Sequence, residues 1–258
     1  MRVKRRHFLT ATGAALAVPA AADPTGNAWY QLHFFFLRNG PQVERTTAYL
    51  KDVWLPATRR NGIGPVGFFS PVIGERAPFI LSLASVPSWT ALETAHSKLA
   101  ADKEFLKGRD EYDDPANPPY VRMESGLLRA FDGMPALETP PTEGQPAARI
   151  FEMRSYESPN EKAGARKIKM FNDAEMGIFR RLGMRPVFFG QAVTGSDLPK
   201  LTYMLAFDNL AARERLWAEF GADPEWRKLR AQPGLSDAEI VSNISNAILR
   251  PLPFSPIR

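Results

Sequence analysis

The spacing of apolar residues along the chain predicts a regular succession of strands and helices. Apolar residues alternate with polar ones in short segments and recur every three to four residues in longer ones, which indicates strands and helices respectively. In the first half the predicted strands cover residues 29–37, 63–73, 79–86 and 120–131, and the predicted helices cover residues 42–60 and 89–101. In the second half the predicted strands cover residues 149–156, 184–194, 201–207 and 240–249, and the predicted helices cover residues 161–182, 210–220 and 224–231.

The two halves resemble each other at a constant spacing of 121 residues, which indicates an internal duplication. The segment from Gly62 to Phe68 is echoed from Gly183 to Phe189, and the same shift superimposes Arg59-Arg60 on Arg180-Arg181. It also superimposes residues 102–105 on 223–226 and residues 127–129 on 248–250. We therefore predict a first repeat over residues 23–132, a linker rich in Pro and Thr over 133–147, and a second repeat over 148–258.

The order strand, helix, strand, strand, helix, strand in each half is that of the ferredoxin-like unit. Two helices cover one face of such a sheet, and the other face needs a partner. Two tandem copies can bury their bare faces against each other. The predicted fold is therefore α+β, with two β-α-β-β-α-β repeats packed sheet to sheet as a dimeric α+β-barrel-like unit.

Residues 1–22 have the pattern of an export signal. Arg5-Arg6 precede an apolar stretch from Phe8 to Val18, and Ala20-Ala21-Ala22 offer small residues for cleavage. The pattern resembles the twin-arginine signal, by which bacteria export folded proteins. It predicts a periplasmic or secreted protein.

Composition narrows the possible functions. The chain has a formal net charge of +5, of which the leader supplies four, so the charge of the remainder gives no argument for nucleic-acid binding. No other apolar run is long enough to span a bilayer, and we expect no permanent membrane anchor. The absence of cysteine excludes thiol catalysis, iron–sulfur clusters and Cys-based zinc sites. Only His33 and His96 lie outside the leader, and we expect no metal and no cofactor.

Several motifs of the second half resemble the NIPSNAP family over residues 149–250. They are Glu152-Met153-Arg154-Ser155-Tyr156, residues 179–184, residues 201–205, residues 212–217 and Asp223-Pro224-Glu225-Trp226-Arg227-Lys228. The first half carries only a distant version, with Asp102-Lys103-Glu104-Phe105 in place of the last motif. The resemblance implies the dimeric α+β-barrel fold and implies no defined reaction.

The Asp-Pro-Glu-Trp motif has a structural interpretation. Asp223 is suited to cap a helix, Pro224 to the first helical position, and Glu225 to the positive end of the helix dipole. Trp226 is suited to pack back onto the sheet. The register-matched residues of the first half keep the cap, the acid and the aromatic side chain.

The first strand of each repeat supplies the candidate site residues. Tyr30, Leu32, Phe34, Phe36, Phe151, Met153 and Ser155 form faces that we expect to meet the helices. The opposite faces, which we expect to point into the barrel, carry Gln31, His33, Phe35, Glu152, Arg154 and Tyr156. These six residues form either a buried hydrogen-bond and ion-pair network, such as Glu152 with Arg154, or a small-molecule pocket.

Three functions remain open. The first is an accessory protein that binds a small apolar or aromatic ligand in the barrel, or a protein partner. The second is a cofactor-independent, monooxygenase-like enzyme in which His33 or Glu152 is the base and Arg154 stabilises an oxyanion. The third, haem binding, ranks last because few histidines are available. His96 aligns with Trp217 and is predicted to be a packing position.

Overall fold

The computed structural model describes residues 26–141 and 149–258. The predicted leader, residues 1–22, lies outside the described residues, and so do residues 23–25 and residues 142–148, which cover the end of the predicted linker and the first residue of the predicted second repeat.

The described strands close into a single antiparallel barrel. The first repeat contributes β1 (Trp29–Phe36), β2 (Val66–Ile73), β3 (Phe79–Val86) and β4 (Arg122–Ala130). The second contributes β5 (Ile150–Glu157), β6 (Arg185–Thr194), β7 (Lys200–Phe207) and β8 (Asn243–Pro251). Their order around the barrel is β1-β3-β2-β8-β5-β7-β6-β4, so β1 and β5 lie opposite each other. The predicted α+β fold with two ferredoxin-like repeats is therefore confirmed.

Helices cover the outside of the barrel. In the first repeat, α1 runs through Pro41–Tyr49, a π-helical turn Leu50–Trp54 and Leu55–Arg60, and is followed by α2 (Trp89–Leu99) and α3 (Lys103–Tyr112). In the second, α4 runs through Glu161–Met170, a π-helical turn Phe171–Glu175 and Met176–Arg181, and is followed by α5 (Leu210–Ala222), α6 (Pro224–Arg230) and α7 (Asp237–Ile240). None of the described helices has the length and hydrophobicity needed to cross a membrane.

The repeat register of 121 residues holds throughout the barrel. It relates β1 to β5, β3 to β7, β4 to β8 and the two π-helical turns without an insertion. Equivalent ion pairs recur as well, since Arg60 contacts Asp102 at 3.0 Å and Arg181 contacts Asp223 at 2.9 Å. Each residue of one repeat can therefore be compared directly with its counterpart in the other.

Two elements differ from the predictions. Helix α3 was not predicted, although its counterpart α6 was. The last strand was predicted to begin at residue 240, but residues 237–240 form α7 and β8 begins at Asn243. The physical reason is a capping box, in which Ser236 and Glu239 satisfy the free amides at the helix N-terminus.

The core has three parts: the interior of the barrel and one layer between sheet and helices in each repeat. The interior is packed with residues of both repeats, including Tyr30, Phe69, Phe151, Phe188 and Leu249, all of them fully buried. Each such side chain stabilises the fold by about 1.5–3 kcal/mol through burial.

The predicted orientation of the first strands is wrong. Tyr30, Leu32, Phe151 and Met153 line the barrel interior, as do Phe34, Phe36 and Ser155 near its mouth. The six site candidates, Gln31, His33, Phe35, Glu152, Arg154 and Tyr156, face the helices instead. No residue of β1 or β5 is exposed on either face, so alternation of polarity separates the faces without telling which one is interior.

Candidate ligand site

In the second repeat, Glu152 is the centre of a hydrogen-bond network between β5 and α5. Its side chain is fully buried and accepts hydrogen bonds from Arg213 Nη2 at 2.6 Å and Nε at 3.0 Å. Trp217 Nε1 donates at 2.6 Å, and Arg154 Nη1 and Asn246 Nδ2 each donate at 3.0 Å. Arg213 and Trp217 are four residues apart on one face of α5, which brings both to the same carboxylate.

This network keeps Glu152 charged. Burial alone would raise the pKa of Glu152, but the hydrogen bond from Arg213 and the charge of Arg154 hold it below its ordinary value. The Arg154 guanidinium also lies over the Trp217 ring, 4.7 Å from its centroid. All polar positions of the carboxylate are satisfied, so Glu152 is a structural anchor and is unsuited to accept a proton from a ligand.

Tyr156 lies deeper in the same layer. Its hydroxyl is 3.0 Å from that of Tyr203, and burial raises the pKa of both phenols. Next to them, Lys167 Nζ contacts Glu175 Oε2 at 3.1 Å, and both side chains are almost fully buried. The sheet–helix layer of the second repeat is thus filled by a polar network and by aromatic rings. Among the described residues, the buried Nε of Arg154 in this network has no hydrogen-bond partner.

The first repeat presents a different set of residues at the same positions. Gln31 stands in place of Glu152, and its side chain has one hydrogen bond to a described residue, at 3.4 Å with His96 Nε2. His33 stands in place of Arg154, with its ring 6.2 Å from Trp54 and 6.3 Å from Phe35 between centroids. Burial, and then the nearby His96, lower the pKa of His33 to about 4, so its imidazole is neutral at pH 7.

A cavity of about 440 Å³ lies beside His33, between the sheet and helices α1, α2 and α3. We call it the sheet–helix cavity. Its walls are mainly aromatic and include Phe35, Tyr49, Trp54, Phe105, Tyr112 and Tyr120, with His33, His96 and Leu99 beside them. The ion pair between Arg109 and Asp113, at 3.2 Å, stands among the lining residues.

The repeat register explains why this cavity exists. Three of its wall residues, His96, Leu99 and Phe105, correspond to the larger Trp217, Phe220 and Trp226 of the second repeat. There the rings pack directly on one another, with centroids 4.5 Å apart for Phe220 and Trp226.

The helix and the strand behind this wall also carry larger side chains in the second repeat than in the first. Phe179 and Tyr203 of the second repeat correspond to Thr58 and Ser82 of the first. Phe179 packs on Phe220 at 4.9 Å between ring centroids, so the second repeat fills space that the first leaves open. Smaller side chains at these five positions leave volume that the frame does not collapse to fill, although Trp54 and Tyr49 of the first repeat are larger than their counterparts Glu175 and Met170.

The polar groups of the cavity are few. The Tyr112 hydroxyl is 3.0 Å from Thr46 Oγ1, and burial raises the pKa of Tyr112 to about 12. Within residues 26–141 and 149–258, the buried indole N–H of Trp54 has no hydrogen-bond acceptor. The ring nitrogens of His33 likewise make no hydrogen bond to any described residue. One donor and one neutral imidazole therefore remain free in an aromatic enclosure.

Comparison with known proteins identifies the second repeat. Residues 151–256 match the family model named NIPSNAP. The second repeat is a NIPSNAP domain. No curated protein sequence matches the chain.

Two solved structures share the fold of both repeats together. A protein named as a candidate monooxygenase from Lactobacillus acidophilus NCFM superimposes with a TM-score of 0.59 and 8% identity, over 87% of this chain and 94% of its own. A second candidate monooxygenase, from Fusobacterium nucleatum subsp. nucleatum ATCC 25586, gives a TM-score of 0.59 and 9% identity over 88% and 93%. An uncharacterised NIPSNAP-like domain protein from Burkholderia xenovorans is 25% identical over 42% of this chain and 90% of its own, with a TM-score of 0.38.

The Asp-Pro-Glu-Trp motif of the NIPSNAP domain lies away from the cavity, at the N-terminus of α6. Asp223 Oδ1 accepts hydrogen bonds from the amides of Glu225 and Trp226 at 3.0 and 3.1 Å, and Pro224 is the first residue of the helix. The hydrogen bond from Arg181 and those amides hold the pKa of Asp223 below its ordinary value. Trp226 is buried in the core of the second repeat.

Sequence reasoning missed the partners that the helices and β8 supply. Arg213 and Asn246 complete the site of the NIPSNAP domain, and Tyr49 and Trp54 form walls of the cavity in the first repeat. One signal was available in the repeat register, in which His96 aligns with Trp217 and Gln31 aligns with Glu152. His96 contacts Gln31, and Trp217 contacts Glu152 in the same way. The aligned pairs point to the sheet–helix layer as the place where the repeats diverge.

Proposed function

We propose that this protein binds a small, planar aromatic molecule in the sheet–helix cavity of its first repeat. The observation that supports this most is the divergence between the repeats. The NIPSNAP domain fills this layer with Trp217, Phe220 and Trp226, whereas the first repeat carries His96, Leu99 and Phe105 and holds a cavity of about 440 Å³.

The size and the walls of the cavity fit such a molecule. Small-molecule sites measure roughly 300–1,000 Å³ and combine apolar walls with a few polar groups. Phe35, Trp54 and Phe105 offer ring faces and edges on which a planar ligand can stack. The charge of the enclosure is low, because His33 is neutral and Arg109 is paired with Asp113.

The free polar groups of the cavity restrict the class of ligand further. The Trp54 N–H requires an acceptor, and the neutral His33 imidazole offers one acceptor and one donor. A phenolic or carbonyl oxygen on an aromatic ring satisfies these groups. A ligand without oxygen leaves them unpaired, at a cost of about 1–3 kcal/mol for each buried group.

Calorimetric titration with 2-naphthol tests the proposal. The wild-type protein is expected to bind it, and the double variant His96→Trp with Leu99→Phe, which installs two aromatic residues of the second repeat, is expected to bind at least tenfold more weakly. Leu210→Phe is the matched control, because it makes one of the same changes at an exposed position on α5. Equal affinity of the wild type and the double variant would rule out the cavity as the site.

A catalytic role is the second candidate, favoured by the state of His33. Its pKa of about 4 leaves the imidazole unprotonated at neutral pH inside an aromatic cavity but makes it a weak base, so it can accept a proton only from a ligand whose acidity the cavity raises, such as an enol with a stabilised enolate. Removal of such a proton is the first step expected of a cofactor-independent oxygenase. The fold shared with the candidate monooxygenases is compatible with this role.

Oxygen-electrode measurements with ligands found by titration test the catalytic candidate. Enzymatic turnover is expected to consume dioxygen and to be lost in His33→Gln, while ligand affinity changes less than threefold. Ligand binding without oxygen uptake would contradict the catalytic role and support ligand binding alone.

We also propose that the protein acts outside the cytoplasm. The twin arginines, the short apolar stretch and the Ala-rich end of residues 1–22 support export in the folded state. Replacement of Arg5-Arg6 by Lys-Lys in a tagged chain is expected to retain the protein inside the cell, and unchanged export would contradict the proposal.

A further inference from the structure

A second cavity, of about 490 Å³, opens at one mouth of the barrel, where β1 and β5 end. We call it the barrel-mouth cavity. Leu32 and Met153 lie among its deeper lining residues, and Phe34 and Ser155 face each other across the barrel because β1 and β5 are opposite strands. It lies on the other side of the sheet from the sheet–helix cavity and does not depend on the function proposed above.

The two repeats contribute different chemistry to this mouth. Phe34, Phe36 and Phe79 of the first repeat correspond to Ser155, Glu157 and Lys200 of the second, and all six line the cavity. Deeper in the barrel the equivalent positions are apolar in both repeats, as in Leu32 and Met153. One wall of the mouth is therefore aromatic and the opposite wall is polar.

The aromatic wall already holds a cation. The rings of Phe34, Phe36 and Phe79 form a cluster in which every pair of centroids is 5.7 to 6.2 Å apart. The Arg76 guanidinium lies over the Phe36 ring, 4.3 Å from its centroid, and is paired with Glu124 at 2.6 Å. Aromatic faces attract organic cations, and a neighbouring carboxylate adds an attraction between opposite charges.

The residues that line the barrel-mouth cavity carry more negative charges than positive ones. Four carboxylates line the cavity, namely those of Glu75, Glu124, Glu157 and Asp197, against the two cations Arg76 and Lys200. Glu124 is shared by Arg76 and Arg122, and Asp197 lies 3.7 Å from Lys200. Among the described residues, Glu75 and Glu157 form no ion pair. Glu157 accepts a hydrogen bond from Asn243 at 2.8 Å and keeps its negative charge available to the cavity.

We infer that the barrel-mouth cavity binds an organic cation with an apolar body, such as an aromatic amine or a quaternary ammonium compound. The body of the ligand packs against Phe34 and Phe79. The cationic head is held on the side of Glu157, opposite the aromatic wall. Anionic and neutral molecules of the same shape are disfavoured, because they leave the carboxylates without a counter-charge.

Titration with benzyltrimethylammonium tests the inference, with neopentylbenzene as the neutral molecule of the same shape. The wild-type protein is expected to bind the cation and to bind the neutral molecule at least fivefold more weakly. Glu157→Gln is expected to weaken cation binding at least fivefold, and so is Phe34→Ser, which installs the residue of the second repeat. Glu44→Gln, which removes an exposed carboxylate on α1, is the matched control and is expected to bind like the wild type.

Circular dichroism melts of each variant show whether it is folded, and NMR chemical shifts of the Phe34 and Phe79 rings locate the bound cation independently of any substitution. Equal binding of the cation and the neutral molecule would overturn the inference, as would cation binding that moves neither ring resonance. Loss of 2-naphthol binding in the double variant of the sheet–helix cavity has no bearing on this result, so the two proposals can fail separately.

Discussion

Replacement of Glu152 by leucine tests the difference between the two sheet–helix layers. The carboxylate accepts five hydrogen bonds from Arg154, Arg213, Trp217 and Asn246. Its removal leaves two guanidiniums next to each other, each with only 16% of its side-chain surface exposed. Within the described part of the chain, Arg154 then loses its counter-charge, and Arg213 keeps only its pair with the exposed Glu214. Breaking a buried pair in this way costs about 3–5 kcal/mol of unfolding free energy.

The matched control is Gln31→Leu, the same change of shape at the equivalent position of the first repeat. Among the described residues, Gln31 has one hydrogen bond, of 3.4 Å, to His96. A neutral hydrogen bond contributes about 0.5–1.5 kcal/mol, and this long one belongs at the lower end. The two variants should therefore differ by about 2–4 kcal/mol although the backbone is equivalent.

Urea denaturation followed by tryptophan fluorescence and circular dichroism measures the difference, provided that both probes report one transition. Glu152→Gln should fall between the wild type and Glu152→Leu, because an amide keeps one acceptor and turns a donor toward the guanidiniums. Unfolding free energies of Glu152→Leu and Gln31→Leu within 1 kcal/mol of each other would refute the account of Glu152 as the anchor of its layer.

Two further predictions concern His33 and the barrel interior. Because the pKa of His33 falls from 6.5 in the unfolded chain to about 4 in the folded protein, the unfolded state binds more protons between these values. Stability should therefore decrease as the pH falls from 7 to 5, by roughly 1–2 kcal/mol, and His33→Gln should flatten this dependence in urea titrations; an unchanged slope in the variant would contradict it. A Cβ atom on Gly190 would lie 2.9 Å from Leu128 Cβ, so Gly190→Ala should destabilise the barrel by about 1–3 kcal/mol. Thermal melts of Gly190→Ala and of Gly177→Ala measure the effect. A Cβ atom on Gly177 would have nothing within 4 Å, so Gly177→Ala should be neutral or stabilising, and equal melting temperatures of the two variants would argue against tight interior packing.

The fold could be predicted from the sequence because the two repeats carry the same pattern, so each element can be predicted independently from either repeat. The 121-residue register places Gly62 on Gly183 and Asp102 on Asp223, and the structure uses both pairs in the same way, with positive φ at each glycine and a helix cap at each aspartate. Applied consistently, this register would also have predicted α3 from its counterpart α6.

The candidate site could be read only in part. The sequence placed Gln31, His33 and Phe35 on one face and Glu152 and Arg154 on the equivalent one, and the structure shows the ion pair of Glu152 with Arg154 at 3.0 Å. Which face points inward depends on what the helices carry toward the sheet. That information lies in single residues of α5 and α2, such as Arg213 and His96. The periodicity of the strands does not contain it.

The crystal structure of the protein soaked with 2-naphthol is the most direct test of the central claim, that the first repeat binds an aromatic ligand where the second is filled. Electron density for the ring is expected between α1, α2 and the sheet, in contact with Phe35 and Trp54. The oxygen of the ligand is expected within hydrogen-bond distance of His33 or of the Trp54 N–H. Density for the ligand elsewhere, with this cavity occupied only by water, would contradict the claim.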